Sequence, residues 1–358
     1  MSQTRQKIRF EQASDGVKLA WAESGSGPTL KPSLVKAANW LTHLEYEWES
    51  PVWRHWIRFF SDHFRFIRYD ERGCGLSDWE VGEITTARWI DDLETIVDAS
   101  QPEGPFALLG ISQGAAACIG YAVRHPERVS HMILYGGYAR GLFHRGKPDI
   151  EREYRAILEV VRIGWGKSNP AFRQIFTSRF IPDGTQEQLA WFNDLCLKTT
   201  SADVAAELLR MRADMNVVDL LPQVRVPTLV IHARDDHITS LTEGRLLASS
   251  IPGAQFVEVP GKNHVLLEDE AGWERFKEAV LDFTGAGAAA PDTFASLSPR
   301  EREILALLSE GLDNAQIGAR LAISEKTVRN HISNVYDKLG VWNRAQAVVF
   351  ARDRGFRR

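Results

Sequence analysis

The chain has 358 residues, 44% hydrophobic and 25% charged, enough apolar material for two domains or for one large domain with an appendage. No run approaches the ~18 apolar residues of a membrane helix, and Met1-Ser2-Gln3-Thr4-Arg5 lacks the apolar core of a signal peptide, so a cytoplasmic protein without membrane contact is expected. Cys74, Cys118 and Cys196 are few and widely spaced, which indicates neither a disulfide framework nor a zinc site, and no metal or cofactor is expected.

The net charge of −4 is unevenly spread. Residues 291–358 hold 11 Lys+Arg against 8 Asp+Glu, a mildly basic tail on an acidic body. Such asymmetry is compatible with nucleic-acid binding without being specific to it.

From the N-terminus, Ile8 to Ala13 and Val17 to Glu23 read as strands around Asp15-Gly16, a strong hairpin signal, and Gly25-Ser26-Gly27-Pro28 ends the pair. Leu34 to Ala38 reads as the next strand, followed by the loop Asn39-Trp40-Leu41-Thr42-His43. An aromatic-rich segment with Trp48, Trp53, Trp56, Phe59 and Phe60 precedes a strand from Phe64 to Tyr69. That strand runs into Asp70-Glu71-Arg72-Gly73-Cys74-Gly75-Leu76-Ser77, and Ala87 to Ala99 has the apolar spacing of a helix.

Phe106 to Leu109 is a short apolar strand, and the small residues Gly114 to Ala117 open a helix behind it. Between them Gly110-Ile111-Ser112-Gln113-Gly114 is G-x-S-x-G, which forces a turn tight enough to expose Ser112 at its apex. Val129 to Tyr135 is another strand, so strands and helices alternate as a mostly parallel sheet requires. Between about 141 and 221 the pattern becomes helical (Tyr154 to Ile163, Gln186 to Leu197, Ala202 to Met211) and reads as a lid. Strands resume at Pro227 to His232 and Gln255 to Val259, Ala271 to Phe283 is a closing helix, and the small residues from Thr284 to Pro291 form a linker.

These motifs, taken in that order, resemble the α/β-hydrolase family over roughly residues 1–283. The resemblance implies a nucleophile, an acid and a histidine in that chain order. Ser112 is then the nucleophile. The strand Val230-Ile231-His232-Ala233 followed by Arg234-Asp235-Asp236 implies Asp236 as the acid, with Asp235 the runner-up, and Gly261-Lys262-Asn263-His264 implies His264 as the base. In such a triad histidine takes the serine proton and the acid fixes the imidazole tautomer. The family usually has His-Gly after its third strand, where this chain has Asn39-Trp40. The oxyanion donors implied are therefore the backbone N–H groups of Gln113 and Leu41, with Trp40 and His43 lining the ligand pocket at its mouth.

The C-terminal segment carries an independent signal. Ser298-Pro299-Arg300-Glu301 is a capping box with Pro at the first helical position, opening a helix to Leu308. Asp313-x-x-Gln316 caps a second helix, Asn314 to Leu321, and Ser324 caps a third, whose Val328, Ile332, Val335 and Leu339 form one apolar face. Its other face carries Lys326, Arg329, Asn330 and Asn334, with Lys338 at the end, as a helix-turn-helix needs for bases and phosphates. Leu297 to Phe350 resembles the LuxR-type DNA-binding domain, a resemblance that adds Thr327 and His331 to the DNA-binding candidates. In that family a fourth helix, here Asn343 to Arg352, usually pairs two domains.

The expected architecture is an α/β-hydrolase sheet with a helical lid (1–283, lid about 141–221), a linker (284–294) and a small all-α LuxR-type helix-turn-helix domain (295–358). The expected function is a transcription regulator that binds double-stranded DNA as a homodimer and senses a small, partly apolar ligand. An active serine hydrolase acting on an ester, lactone or amide is the alternative, and a third reading makes the first domain a scaffold for oligomerisation.

Overall fold

In the computed structural model, which describes residues 6–25, 31–169, 171–286, 294, 296–353 and 356, the hairpin turns at Gly16 with φ +91°. It joins β1 (Lys7–Gln12) to β2 (Lys18–Ser24). The stop expected at 26–28, and most of the linker, 287–293, lie outside the described residues. Six further strands follow: β3 (Ser33–Lys36), β4 (Arg65–Tyr69), β5 (Phe106–Ile111), β6 (Val129–Tyr135), β7 (Thr228–Ala233) and β8 (Gln255–Val259). They form one sheet in the order β1-β2-β4-β3-β5-β6-β7-β8. Pairing is antiparallel from β1 through β4 and parallel from β4 to β8. All six residues of β5 are buried, as a central parallel strand covered on both faces requires.

The aromatic-rich segment forms a helix, Arg54–His63. Trp53, Trp56, Ile57 and Phe60 recur at +3, +1 and +3, so a helical signal is present beneath residue types that favour strands. Trp56 donates Nε1–H to the Leu266 carbonyl at 3.0 Å and meets the rings of Tyr135, Trp273 and Phe276 at 4.7–5.4 Å. This cluster fastens Arg54–His63 and the closing helix Ala271–Thr284 to β6.

The Asp70-to-Ser77 motif is a structural knot. Asp70 accepts from the N–H groups of Leu44 and Leu76, and Ser77 Oγ donates to the Asp70 carbonyl while accepting from Ala20 N–H. Arg72 holds Asp92 through two bonds of 2.6–2.7 Å and Asp15 through a third of 2.8 Å. A Cβ on Gly75 would lie 2.3 Å from Asp70 Oδ2, so the turn leaves no room for any side chain there.

Between β6 and β7 the chain forms four helices, Pro148–Gly164, Ala171–Phe180, Gln186–Thr199 and Ala202–Asp214. The second was not read from the sequence, although Phe172, Phe176 and Phe180 recur at +4. Leu44–Trp48 and Leu241–Ser250 are two further helices that the sequence pattern does not announce.

A second compact unit begins at Ala286. Its helices are Pro299–Ser309, Asn314–Leu321, Glu325–Leu339 and Arg344–Asp353, and the first two open on complete capping boxes. Val328, Ile332, Val335 and Leu339 are buried, divided between two small apolar clusters. Lys338, expected on a DNA phosphate, is exposed and also makes a 2.7 Å bond from Nζ to the buried Glu301 of the first capping box. That bond, with the Ser298 N–H, lowers the Glu301 carboxyl from its ordinary 4.5 to about 2.

Two outcomes are expected. Trp56→Ala empties a ring site in the aromatic cluster and should destabilise the hydrolase unit by about 3–5 kcal/mol in denaturant titration. Because the Glu301 pKa is depressed in the folded state, its stabilisation is complete above pH 4.5 and is lost as pH falls toward 2. Hydrogen exchange across Pro299–Ser309 should accelerate over that window in wild type, and Glu301→Gln should flatten the dependence while raising exchange at neutral pH.

Candidate active site and DNA interface

Ser112 stands where β5 gives way to the helix Gly114–Arg124, with φ +54°. A left-handed backbone at a non-glycine residue costs on the order of 1–3 kcal/mol and persists only where its surroundings over-determine it. The surroundings are the two motif glycines. A Cβ on Gly110 would come within 2.8 Å of Ala115 Cα, and one on Gly114 within 3.0 Å of the Ala38 carbonyl oxygen. Ser112 N–H donates to the Tyr135 carbonyl at 3.0 Å, which pins the turn to the neighbouring strand.

His264 Nδ1 lies 2.6 Å from Asp236 Oδ2, and both residues are buried. The other carboxylate oxygen of Asp236 accepts from the N–H groups of Ile238 (2.7 Å) and Thr239 (3.0 Å). Burial opposes ionisation of Asp236, but the adjacent His264, then His232 and the Thr239 N–H, outweigh it and hold the carboxyl below its ordinary value. Asp235 is exposed, so of the two neighbouring acids it is Asp236 that meets the histidine. The Gly136 backbone, at φ +55°, leaves room for the pair: a Cβ there would lie 3.1 Å from His264 Cε1.

The helical insertion reaches this pair directly. His264 N–H donates to the Phe180 carbonyl at 2.8 Å, and the two rings meet edge-on at 5.4 Å. His264 Nε2 is buried without a hydrogen-bond partner among the described residues. Catalytic hydrogen bonds are often loose before substrate binds, so a free Nε2 is compatible with proton transfer in a substrate complex.

The Gln113 side chain organises the loop after β3. With its amide oriented to satisfy its neighbours, the oxygen accepts from Trp40 N–H at 2.7 Å and from Arg212 Nη2 and Nε at 3.1 and 3.3 Å. Trp40 N–H is thereby occupied, whereas the backbone N–H groups of Gln113 and Leu41 have no acceptor among the described residues.

A cavity, partly open to solvent, lies over Ser112 and Gln113. Trp40, Tyr138, Leu142, Tyr154, Phe176, Phe180, Leu209 and Ile238 give it apolar walls. Trp40 is 2% exposed and packs against Trp165 at 5.4 Å, so it lies within the wall, not at the mouth where the sequence reading put it. His43 does not line this cavity. Its Nδ1 accepts from Tyr46 N–H at 3.3 Å, so its side chain caps Leu44–Trp48. Arg145, Arg179 and Arg212, all in or beside the insertion, do line it. The sequence carried no local sign of this, because Arg212 acquires its place from partners such as Glu71, 141 positions away.

In the C-terminal unit, Lys326, Arg329, Asn330 and Asn334 are exposed along Glu325–Leu339 and His331 is half-buried. Thr327 is drawn into the cap, its N–H and hydroxyl both meeting Ser324 Oγ. Arg329 pairs with Glu325 at 2.9 Å across one exposed turn, a contact that a nucleic acid could readily displace. Among the described residues Lys326 has no acidic partner.

A profile of the family described as "Serine aminopeptidase, S33" matches residues 55–271, and one described as "Bacterial regulatory proteins, luxR family" matches residues 295–351. The tail is 58% identical over 58 residues to the probable transcriptional regulatory protein SgaR of Hyphomicrobium methylovorum, covering 16% of this chain and 28% of that one. The first domain is 26% identical over 262 residues to 3-oxoadipate enol-lactonase 2 of Acinetobacter baylyi, covering 71% of this chain and 90% of the lactonase. A hydrolase from Pseudomonas aeruginosa superposes with a TM-score of 0.64 at 25% identity, over 78% of this chain and 98% of that one. With the hydrolase profile covering more than half its length, the chain belongs to the α/β-hydrolase family, in its serine aminopeptidase S33 grouping, and ends in a DNA-binding domain of the bacterial LuxR regulatory type.

Proposed function

We propose that the protein is a transcription regulator whose α/β-hydrolase domain receives a small, partly apolar ligand and whose tail binds double-stranded DNA as a homodimer. The observation that supports this reading most is the largely apolar cavity over Ser112, walled in part by the inserted helices, in a chain that also carries a LuxR-type domain. On the fourth helix of the tail and just before it, Val349 (44% exposed) and Trp342 (85% exposed) offer apolar surface to a second copy. No helix among the described residues is long and apolar enough to cross a membrane, in keeping with a protein that works in the cytoplasm.

Active hydrolysis is a second reading, favoured by the His264–Asp236 pair and the strained Ser112 turn. On this reading Ser112 attacks an ester, lactone or amide carbonyl, His264 takes its proton, Asp236 stabilises the imidazolium, and Gln113 and Leu41 N–H groups receive the oxyanion.

A fluorophosphonate probe should label the wild-type protein and fail to label Ser112→Ala, detected by mass spectrometry; an unlabelled, folded wild type would remove Ser112 from either reading. Sustained release of 4-nitrophenol from 4-nitrophenyl acetate, reduced ~10⁴-fold or more by His264→Ala, supports the enzyme. One equivalent released and no more supports the receptor.

For the tail, Lys326→Ala should weaken binding to all duplexes alike and lower the salt slope by about 0.9. Arg329→Ala should relax sequence preference, a lost bidentate contact to a base costing ~1–3 kcal/mol. Lys338→Ala should also lower the thermal midpoint of the tail, because it strands Glu301. Fluorescence anisotropy against specific and random duplexes, paired with melting, separates the three.

A further inference from the structure

The charges around the cavity over Ser112 are one-sided. Three arginines line it, Arg145, Arg179 and Arg212, and among the described residues no aspartate or glutamate does. Their partners differ. Arg145 donates Nε–H to the Arg140 carbonyl at 3.1 Å, stands 3.8 Å from Glu243, and lies over the Tyr138 ring at 5.1 Å. Arg212, only 5% exposed, spends Nη2 on Glu71, Nε and Nη2 on the Gln113 oxygen, and its face on the Trp40 ring at 4.7 Å. Its remaining nitrogen, Nη1, is buried without an acceptor, and so is the indole Nε1–H of Trp40. Arg179 is half-buried and has no acidic partner among the described residues.

A buried donor left unsatisfied is costly, and a guanidinium gains most from an anionic oxygen. Both of those donors lie beneath the cavity surface, so the cation that faces the cavity without an acidic partner among the described residues is Arg179. The other walls are Leu142, Phe176, Phe180, Leu209 and Ile238, which ask for an apolar body. A large polyanion would leave those walls against charge, whereas a planar carboxylate matches the fork of a guanidinium and leaves the rest of the molecule free to be apolar.

We propose that this cavity takes a small organic acid: an apolar acyl or ring body carrying one free carboxylate, which Arg179 receives while its carbonyl end faces Ser112. The inference rests on the reading of the cavity as the ligand site and adds the charge that the ligand must carry.

The test compares two esters of equal chain length, mono-4-nitrophenyl glutarate and 4-nitrophenyl pentanoate, which differ in a terminal carboxylate against a methyl group. Binding is measured by calorimetry on the full chain with Ser112→Ala, so that hydrolysis does not intervene. The glutarate ester should bind at least tenfold more tightly. Because Arg212 is woven into the fold, the decisive second variant is Arg179→Gln, which should shrink the ratio between the two esters severalfold, with Arg179→Lys restoring part of it. Equal affinities for the two esters would overturn the carboxylate assignment while leaving the ligand site in place. Binding of neither to folded protein would overturn both.

Discussion

The hydrolase domain depends on one strained residue. Ser112 is held at φ +54° by a strand buried on both faces, by two glycines whose missing Cβ atoms let the helix and the Ala38 carbonyl approach, and by a hydrogen bond to β6. Relaxing that angle would require the helix Gly114–Arg124 to leave the sheet, so packing across the whole β5 region sustains the turn. The cavity, the Gln113 contacts and the approach of Phe180 to His264 are all built relative to that point.

Around it lies a set of buried charges that a purely apolar core would not need. Glu71 meets Arg212, Arg72 meets Asp92, and Arg68 meets Glu47 at 2.7 Å. Burial raises the carboxyl of Glu71, with the adjacent Arg212 opposing it, and that of Asp70 is pushed up to about 7. Buried ion pairs seldom add net stability over apolar packing, but breaking one leaves an uncompensated charge. In this chain they act as specific fasteners. The Glu71–Arg212 pair joins the strand-end motif to the last helix of the insertion, and through the Gln113 oxygen and the Trp40 ring it sets the wall beside the serine.

The C-terminal unit uses a different economy of forces. A domain of this size buries little apolar surface, here two small clusters, so local signals matter more. Two capping boxes satisfy helix-end N–H groups, and the Glu301–Lys338 bond joins the first helix to the end of the third. Lys326, Arg329, Asn330 and Asn334 are left on the outer face, where a DNA-reading helix needs them.

Local periodicity and punctuation determined most of the elements. Asp15-Gly16 set the hairpin, alternation of strand and helix set the sheet class, and the serine turn was legible because glycine spacing reports a backbone conformation directly. The tail was legible for a related reason, since caps and apolar spacing act within a few residues of themselves. Other features became visible only in three dimensions. His43 lies seven residues beyond the end of β3, but its ring is used by a helix cap. Lys338 reads as a surface cation, but its partner is 37 residues away. Which of Asp235 and Asp236 meets His264 was decided by the direction in which the loop after β7 turns, and the arginines of the cavity by how the insertion folds back over the sheet. Sequence spacing determines which face of its own element a side chain occupies; only tertiary packing decides what that face meets.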